Sequence, residues 1–291
     1  MHTVQVPASS ANLGPGFDCL GLAVSVYLRV SCEERPSGLV VKANEAGIAL
    51  DERNLVVRAI FAVFAAAGRT RPGLSVDIEN GIPLSRGLGS SAAAISAGLV
   101  LGNELLGRPY DRGQLLRIGL PLEGHPDNLA PALFGGLQVS SVAEDGEVVR
   151  VGVAMPRPPD IALFIPDFLM STSEARRVLP DSFSKADAVF NTGRSSLLVA
   201  ALAAGDFGAL RRAMEDRIHQ PYRASIFPDL PRLISAALEA GAAGAALSGA
   251  GSTVVALCEA DPSPVAEAMA ALGVPGRATV TSVDVAGASV S

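Results

Sequence analysis

Pro83-Leu84-Ser85-Arg86-Gly87-Leu88-Gly89-Ser90-Ser91-Ala92 runs straight into an alanine-rich apolar stretch, and the reading of this junction decides what kind of chain it is. Glycines take backbone conformations closed to other residues, so successive main-chain N–H groups can face one concavity and hold phosphate oxygens. A helix that opens at once after such a loop adds the partial positive charge of its N-terminus. Ser90 and Ser91 then either cap that helix or offer hydroxyls to a phosphate-bound cation. A tight strand-to-helix turn with an ordinary serine cap accounts for the same residues. The spacing Gly87-x-Gly89-x-x-Ala92 also satisfies the dinucleotide fingerprint. Against that reading, Pro83 and Arg86 stand where an apolar strand is needed. Asp111, about 20 residues on, reads as a helix cap rather than an acid at a strand end.

Working outward, residues 4–6 and 21–30 read as strands with an irregular loop between them. Apolar residues at helical spacing from Leu55 predict a helix ended by Gly68. Residues 74–78 form a strand stopped by Asn80-Gly81, and the helix after the glycine loop runs over 91–106. Further helices are expected from the Asp111 cap to 120 and over 127–133, then a hairpin of strands 137–142 and 148–153 about Asp145-Gly146. The proline-rich stretch Met155-Pro156-Arg157-Pro158-Pro159-Asp160 breaks regular structure and marks a boundary between units 1–154 and 155–291. Beyond it come a strand at 161–165 and helices at 173–179, 186–203, 207–219 and 231–240. Strands at 245–247 and 253–258, a helix at 264–272 and a strand at 278–283 complete the order. Such irregular mixing predicts an α+β fold in both halves, not a doubly wound sheet.

Composition narrows the function. The chain has 291 residues, 49% apolar and only 18% charged, which is enough to bury a large core without a partner. A net charge of -6 and the lack of a basic stripe with interleaved aromatics exclude nucleic acid as the expected partner. Lys42 and Lys185 are the only lysines, and neither sits in a Walker loop or a protein-kinase setting. Cys19, Cys32 and Cys258 make no Cys-x-x-Cys pair and stand at no zinc-finger spacing from a histidine, which suits a reducing compartment. The opening Met-His-Thr-Val-Gln-Val has no basic region followed by an apolar core, so no secretory signal is expected. The longest apolar run, 92–101, falls short of the roughly 20 residues of a membrane helix. A cytoplasmic protein without a membrane partner is the expectation.

Three further stretches hold residues able to do chemistry. Pro7-Ala8-Ser9-Ser10-Ala11-Asn12-Leu13-Gly14-Pro15-Gly16-Phe17-Asp18 places Asn12 and Asp18 among turn formers, where such side chains ordinarily satisfy local main chain. Glu123-Gly124-His125-Pro126-Asp127-Asn128 packs four polar side chains before a helix and reads equally as a cap. Residues 241–253, with Gly241, Gly244, Gly249 and Gly251, allow close backbone approach to another segment or to a ligand.

Jointly these stretches resemble the three signature motifs of the family of galactokinase, homoserine kinase, mevalonate kinase and phosphomevalonate kinase (GHMP), over nearly the whole chain. Residues 83–93 resemble its phosphate loop and 241–253 its C-terminal glycine motif. The motif from Ala11 to Asp18 and the His125-x-Asp127-Asn128 turn resemble the branch that acts on homoserine. The resemblance implies an N-terminal unit of the ribosomal S5 domain 2-like type and a ferredoxin-like C-terminal unit, with ATP at their interface. It places ATP along Pro83, Arg86, Gly87, Leu88, Gly89, Ser90, Ser91 and Ala92, with Asn54 at the adenine end. Mg²⁺ would be held by Ser91 and Glu123, a sparse protein share that suits this ion. Asn12, Asp18, His125, Asp127 and Gly249 would border the acceptor. Arg176 and Arg223 would bind its carboxylate, a task suited to a planar, always charged fork. Without the resemblance each arginine reads as a surface ion pair.

One departure bears on mechanism. Other branches place an aspartate base, helped by a lysine, beside the acceptor hydroxyl; the comparable position here carries Asn128, and an amide cannot take the proton. Asn128, Asp127 and Arg176 are therefore expected to act mostly through alignment and charge stabilisation. Ser252 stands where proline is common. Alternatives within the family are phosphorylation of mevalonate, a sugar or a diphosphocytidyl sugar alcohol. Outside it stands a non-catalytic nucleotide-binding relative. The resemblance is compatible with a homodimer, which no sequence feature demands.

Overall fold

β1 (His2–Asn12) and β2 (Gly16–Arg35) form one long antiparallel hairpin in the computed structural model, which describes residues 1–290. The strands exceed the sequence expectation at both ends, and the loop expected between them shrinks to residues 13–15. The reason is burial: Ala8, Ser9, Ser10, Ala11 and Asn12 are small or polar and read as turn formers, yet they lie inside the molecule as strand. Asn12, Leu13 and Gly14 all have positive φ and turn the chain tightly.

β3 (Leu39–Ala43), unforeseen from the sequence, runs parallel to β4 (Gly73–Asn80). Its β-branched Val40 and Val41 between Gly38 and Asn44 were a usable signal. α1 (Leu55–Ala66) and α2 (Ser90–Leu105) come next, then α3 (Arg112–Glu123), α4 (Pro126–Phe134), β5 (Leu137–Val142) and β6 (Val148–Val153). β7 (Asp160–Pro166), α5 (Thr172–Arg177) and α6 (Lys185–Ala204) follow. Where a single helix was expected over 207–219, the chain makes a 3-10 turn (Phe207–Ala209), the short α7 (Leu210–Ala213) and a break before α8 (Gln220–Arg223). Asp216 causes the break: its carboxylate accepts the N–H groups of Ile218, His219 and Gln220, a local alternative to helix bonding. α9 (Leu230–Glu239), β8 (Gly244–Leu247), β9 (Val254–Cys258), α10 (Ser263–Ala270), β10 (Gly276–Ser282) and β11 (Ser289–Val290) end the chain.

Among the described residues two sheets form. The first has the order β11-β1-β2-β4-β3, with β5 on the early part of β2 and β6 on β5; the second has the order β10-β7-β9-β8. β11 thus carries the end of the chain back to β1. α2 is buried nearly all round, and Gly98 explains how: a Cβ there would lie 2.2 Å from the Val56 carbonyl oxygen of α1. Ile95 and Leu99 pack against Gly119 of α3, and with Leu101 they belong to the main core. Truncating Leu99 to alanine is expected to cost about 2–5 kcal/mol. No helix among the described residues is long and apolar enough to cross a membrane.

Candidate active site

The glycine loop ends on Gly89, which caps α2 in the left-handed conformation and makes no side-chain cap bond. Ser90 and Ser91 are therefore not caps. Among the described residues, no protein acceptor takes the main-chain N–H of any residue from 87 to 92. Orphan amides at a helix start ordinarily find a cap, water or an anion. Here they border a cavity of about 510 Å³ whose lining includes Asn54, Pro83, Arg86, Gly87, Leu88, Gly89, Ser90, Ser91, Glu123, Asn128 and Gly249.

Three motifs meet at this loop because their glycines let main chains touch. A Cβ on Gly87 would lie 2.2 Å from the Ser248 carbonyl oxygen and 2.9 Å from Gly251. Ser248 Oγ bonds the Gly87 carbonyl (2.6 Å) and Ser10 Oγ (2.8 Å), and Thr253 N–H donates to the Arg86 carbonyl (3.0 Å). Gly249 N–H donates to Ala11 O (2.9 Å), while its own carbonyl accepts from Asn12 Nδ2 (2.9 Å) and Arg223 Nη1 (2.9 Å). The C-terminal glycine motif is thus a wedge between the first hairpin and the phosphate loop. Arg86 turns its guanidinium to the Pro166 carbonyl at the end of β7. Leu88 is buried although it borders the cavity, and Ala92, also buried, does not line it. Asn54 caps α1: its Oδ1 accepts from Val56 N–H and Val57 N–H, and its Nδ2 donates to Ala49 O.

Ser91 Oγ donates to Glu123 Oε2 at 2.5 Å. Burial pushes the Glu123 carboxyl above its ordinary value, and the Ser91 bond partly offsets this. A hydroxyl and a half-buried carboxylate on the cavity wall form a hard-oxygen pair suited to an ion that keeps water and phosphate ligands. No cluster of three His, Cys, Asp or Glu side chains able to hold a metal occurs among the described residues. Ser9, which sequence reasoning passed over, donates through Oγ to Asn128 Oδ1 at 2.9 Å and leaves the Asn128 amide nitrogen for the cavity.

Beyond Asn128 lies a cluster of charged side chains. Arg176 grips Asp18 with a two-pronged ion pair, Nη2 to Oδ1 at 2.7 Å and Nη1 to Oδ2 at 3.1 Å. Asp18 N–H donates to Asn12 Oδ1 (3.1 Å), so Asn12 serves its own turn and, through Nδ2, the distant Gly249. Arg223 is only 2% exposed and donates to the Ala175 and Gly249 carbonyls. Burial, then the Arg176 charge, lowers its guanidinium to about 10. Burial, then the Asp18 charge, raises the Asp127 carboxyl to about 7. Asp127 accepts the Asn128 N–H at 3.0 Å. Burial, then the Arg176 charge, pushes His125 down. Phe17 lies beneath both arginines, whose guanidinium carbons are each 5.4 Å from its ring centre. Phe17 stood inside a quoted motif, whereas His219 was passed over; their contacts cross the chain and leave no local pattern to read.

The loops that build this cleft are also where the chain matches known proteins. Residues 54–136 match the family model described as GHMP kinases N terminal domain, and residues 198–274 that of GHMP kinases C terminal. Homoserine kinase of Desulfitobacterium hafniense is 43% identical over 297 residues, covering 100% of both chains. Homoserine kinase of Deinococcus radiodurans is 49% identical over 255 residues, 87% of this chain and 83% of that one. The crystal structure of homoserine kinase from Cytophaga hutchinsonii superposes with a TM-score of 0.90 at 29% identity, covering 100% of this chain and 97% of that one. On matches of this length and identity, falling on the segments that form the cleft, the chain belongs to the GHMP kinase family.

Proposed function

We propose that the chain transfers the terminal phosphoryl group of ATP to the hydroxyl of L-homoserine, giving ADP and O-phospho-L-homoserine, a step toward threonine. The observation that carries the reading is the run of unpartnered main-chain N–H groups over 87–91 on a cavity that reaches Asn128 and Gly249, with Arg223 bonded to the Gly249 carbonyl and Arg176 paired with Asp18 nearby. A triphosphate fits the first feature and a small zwitterionic amino acid the second. Relatives named homoserine kinase, aligned along most of the chain, select the acceptor.

The loop amides and the start of α2 bind the phosphates and stabilise the charge that spreads over the transferred group. Asn54 holds the start of α1 against the adenine end of the cavity. Ser91 and Glu123 would hold Mg²⁺, which supplies charge neutralisation between the phosphates when bound. Asp18 meets the acceptor ammonium, Arg176 and Arg223 its carboxylate, and Asn12, His125 and Gly249 shape the pocket. Asn128 touches the cavity while Asp127 lies behind it. Its amide, oriented by Ser9, aligns the hydroxyl rather than removing its proton. Units 1–154 and 155–291 share this work in a cytoplasmic enzyme.

The test is ADP release with L-homoserine, mevalonate, a sugar and a diphosphocytidyl sugar alcohol. Homoserine should give the fastest turnover. Faster release with mevalonate would change the acceptor, and tight ATP binding with no acceptor stimulating release would make the chain a binding relative.

A further inference from the structure

His219 is completely buried and plays no part in the transfer described above. Its Nε2 lies 2.7 Å from the Gly14 carbonyl oxygen and its Nδ1 3.1 Å from Arg223 Nη1. A carbonyl only accepts and a guanidinium only donates, so the ring is neutral with its hydrogen on Nε2. The ring also stacks on Phe17, centres 5.4 Å apart and planes 27° apart. One imidazole therefore touches the turn between Asn12 and Asp18, the aromatic ring beneath two arginines, and one of those arginines. Its own main chain is held by Asp216, which accepts the His219 N–H at 2.9 Å and an Nδ2 hydrogen of Asn191 at 2.7 Å.

We propose that His219 is a positioning residue for the acceptor: through Nδ1 it fixes the Arg223 fork, and through Nε2 it fixes the turn that carries Asp18. The proposal rests on the homoserine reading above. Arg223 spends Nε on Ala175 O and Nη1 on Gly249 O and His219, so Nη2 is its nitrogen without a protein partner among the described residues. A fork held on two nitrogens presents the third in one orientation, at little further entropic cost on binding. Arg176, on the short α5, is hydrogen-bonded only to Asp18 and would complete the carboxylate clamp.

The competing account, a histidine that merely fills the core, predicts lost stability without preference between substrates. Wild type, His219→Phe and His219→Gln are compared by thermal melting and by separate KM values for L-homoserine and ATP. Phenylalanine keeps the stack and removes both hydrogen bonds, whereas glutamine keeps one donor and one acceptor. The KM for homoserine should rise roughly tenfold or more in His219→Phe while that for ATP stays within about twofold. His219→Gln should recover most of the loss. If His219→Phe does not fold, His219→Asn, too short to span both partners, should show the same selective rise. An unchanged homoserine KM, an equal rise in both values, or a glutamine variant no better than the others overturns the positioning role. Absence of homoserine turnover in the wild type would instead overturn the function reading itself.

Discussion

On the side of the cleft proposed for the nucleotide, main-chain N–H groups over 87–91 lack protein acceptors; on the side proposed for the acceptor, Asp18 is paired with Arg176 and Arg223 with His219. The loop amides cannot titrate and lose no side-chain freedom when they bind. The second side is charged, and the Asp18 and Arg176 charges act on the protonation of their buried neighbours Asp127 and Arg223. Damage to the nucleotide wall should therefore come through backbone geometry, and damage to the acceptor wall through charge and pH.

The sharpest break of this contrast is Gly87→Ala. The added methyl would meet the Ser248 carbonyl at 2.2 Å on a backbone at φ 74°, and neither main chain can yield cheaply. Stability should fall by about 3 kcal/mol or more, and ATP turnover should be lost. Urea unfolding and ATP titration read the two effects, and retention of both would show that the loop is not backbone-locked. Next in size is Arg176→Ala, which leaves Asp18 without its partner. The KM for homoserine should rise by roughly a hundredfold with that for ATP little changed. Equal effects on both substrates would dissolve the division between the walls.

Asp127 tests the titrating side. Its folded carboxyl, raised to about 7, holds a proton more tightly than the ordinary carboxylate of the unfolded chain. Stability from this group is thus complete below the unfolded value of about 4 and is lost as pH rises through 7. Between pH 5 and 8 the wild type should lose about 2–3 kcal/mol that Asp127→Asn does not lose. His219, pushed down to about 4 by burial, runs the opposite way below its ordinary value and cancels in the comparison. Turnover in Asp127→Asn should survive. Its abolition with homoserine affinity intact would make Asp127 a base. The smallest expected effect is Asn54→Ala, costing about 1 kcal/mol of stability as a lost helix cap while the ATP KM moves less than about threefold. A larger kinetic effect would place its amide on the nucleotide.

Much of this was legible residue by residue. Asp111 and Gly68 marked helix ends because capping is local chemistry, and the glycine loop announced itself because few residues other than glycine tolerate its geometry. The first hairpin was misjudged because Ser9, Ser10 and Asn12 are turn formers by composition and buried strand residues by topology. The helix expected over 207–219 failed because Asp216 diverts three main-chain N–H groups, a competition that periodicity does not register. At the site, residue types could be nominated but their pairings could not. Ser9 meets Asn128, and His219 meets Gly14, only after the chain has closed.

The wedge formed by residues 248–253 has a consequence for engineering. Its peptide groups are the mortise for two tenons, Ala11-Asn12 from the first hairpin and Arg86-Gly87 from the loop before α2. Recombining halves from distant relatives at residue 154 would cut no site residue, yet it would pair a foreign wedge with native sockets. Chimeras that carry residues 248–253 along with the parental first half should outperform crossovers placed at the proline-rich linker alone.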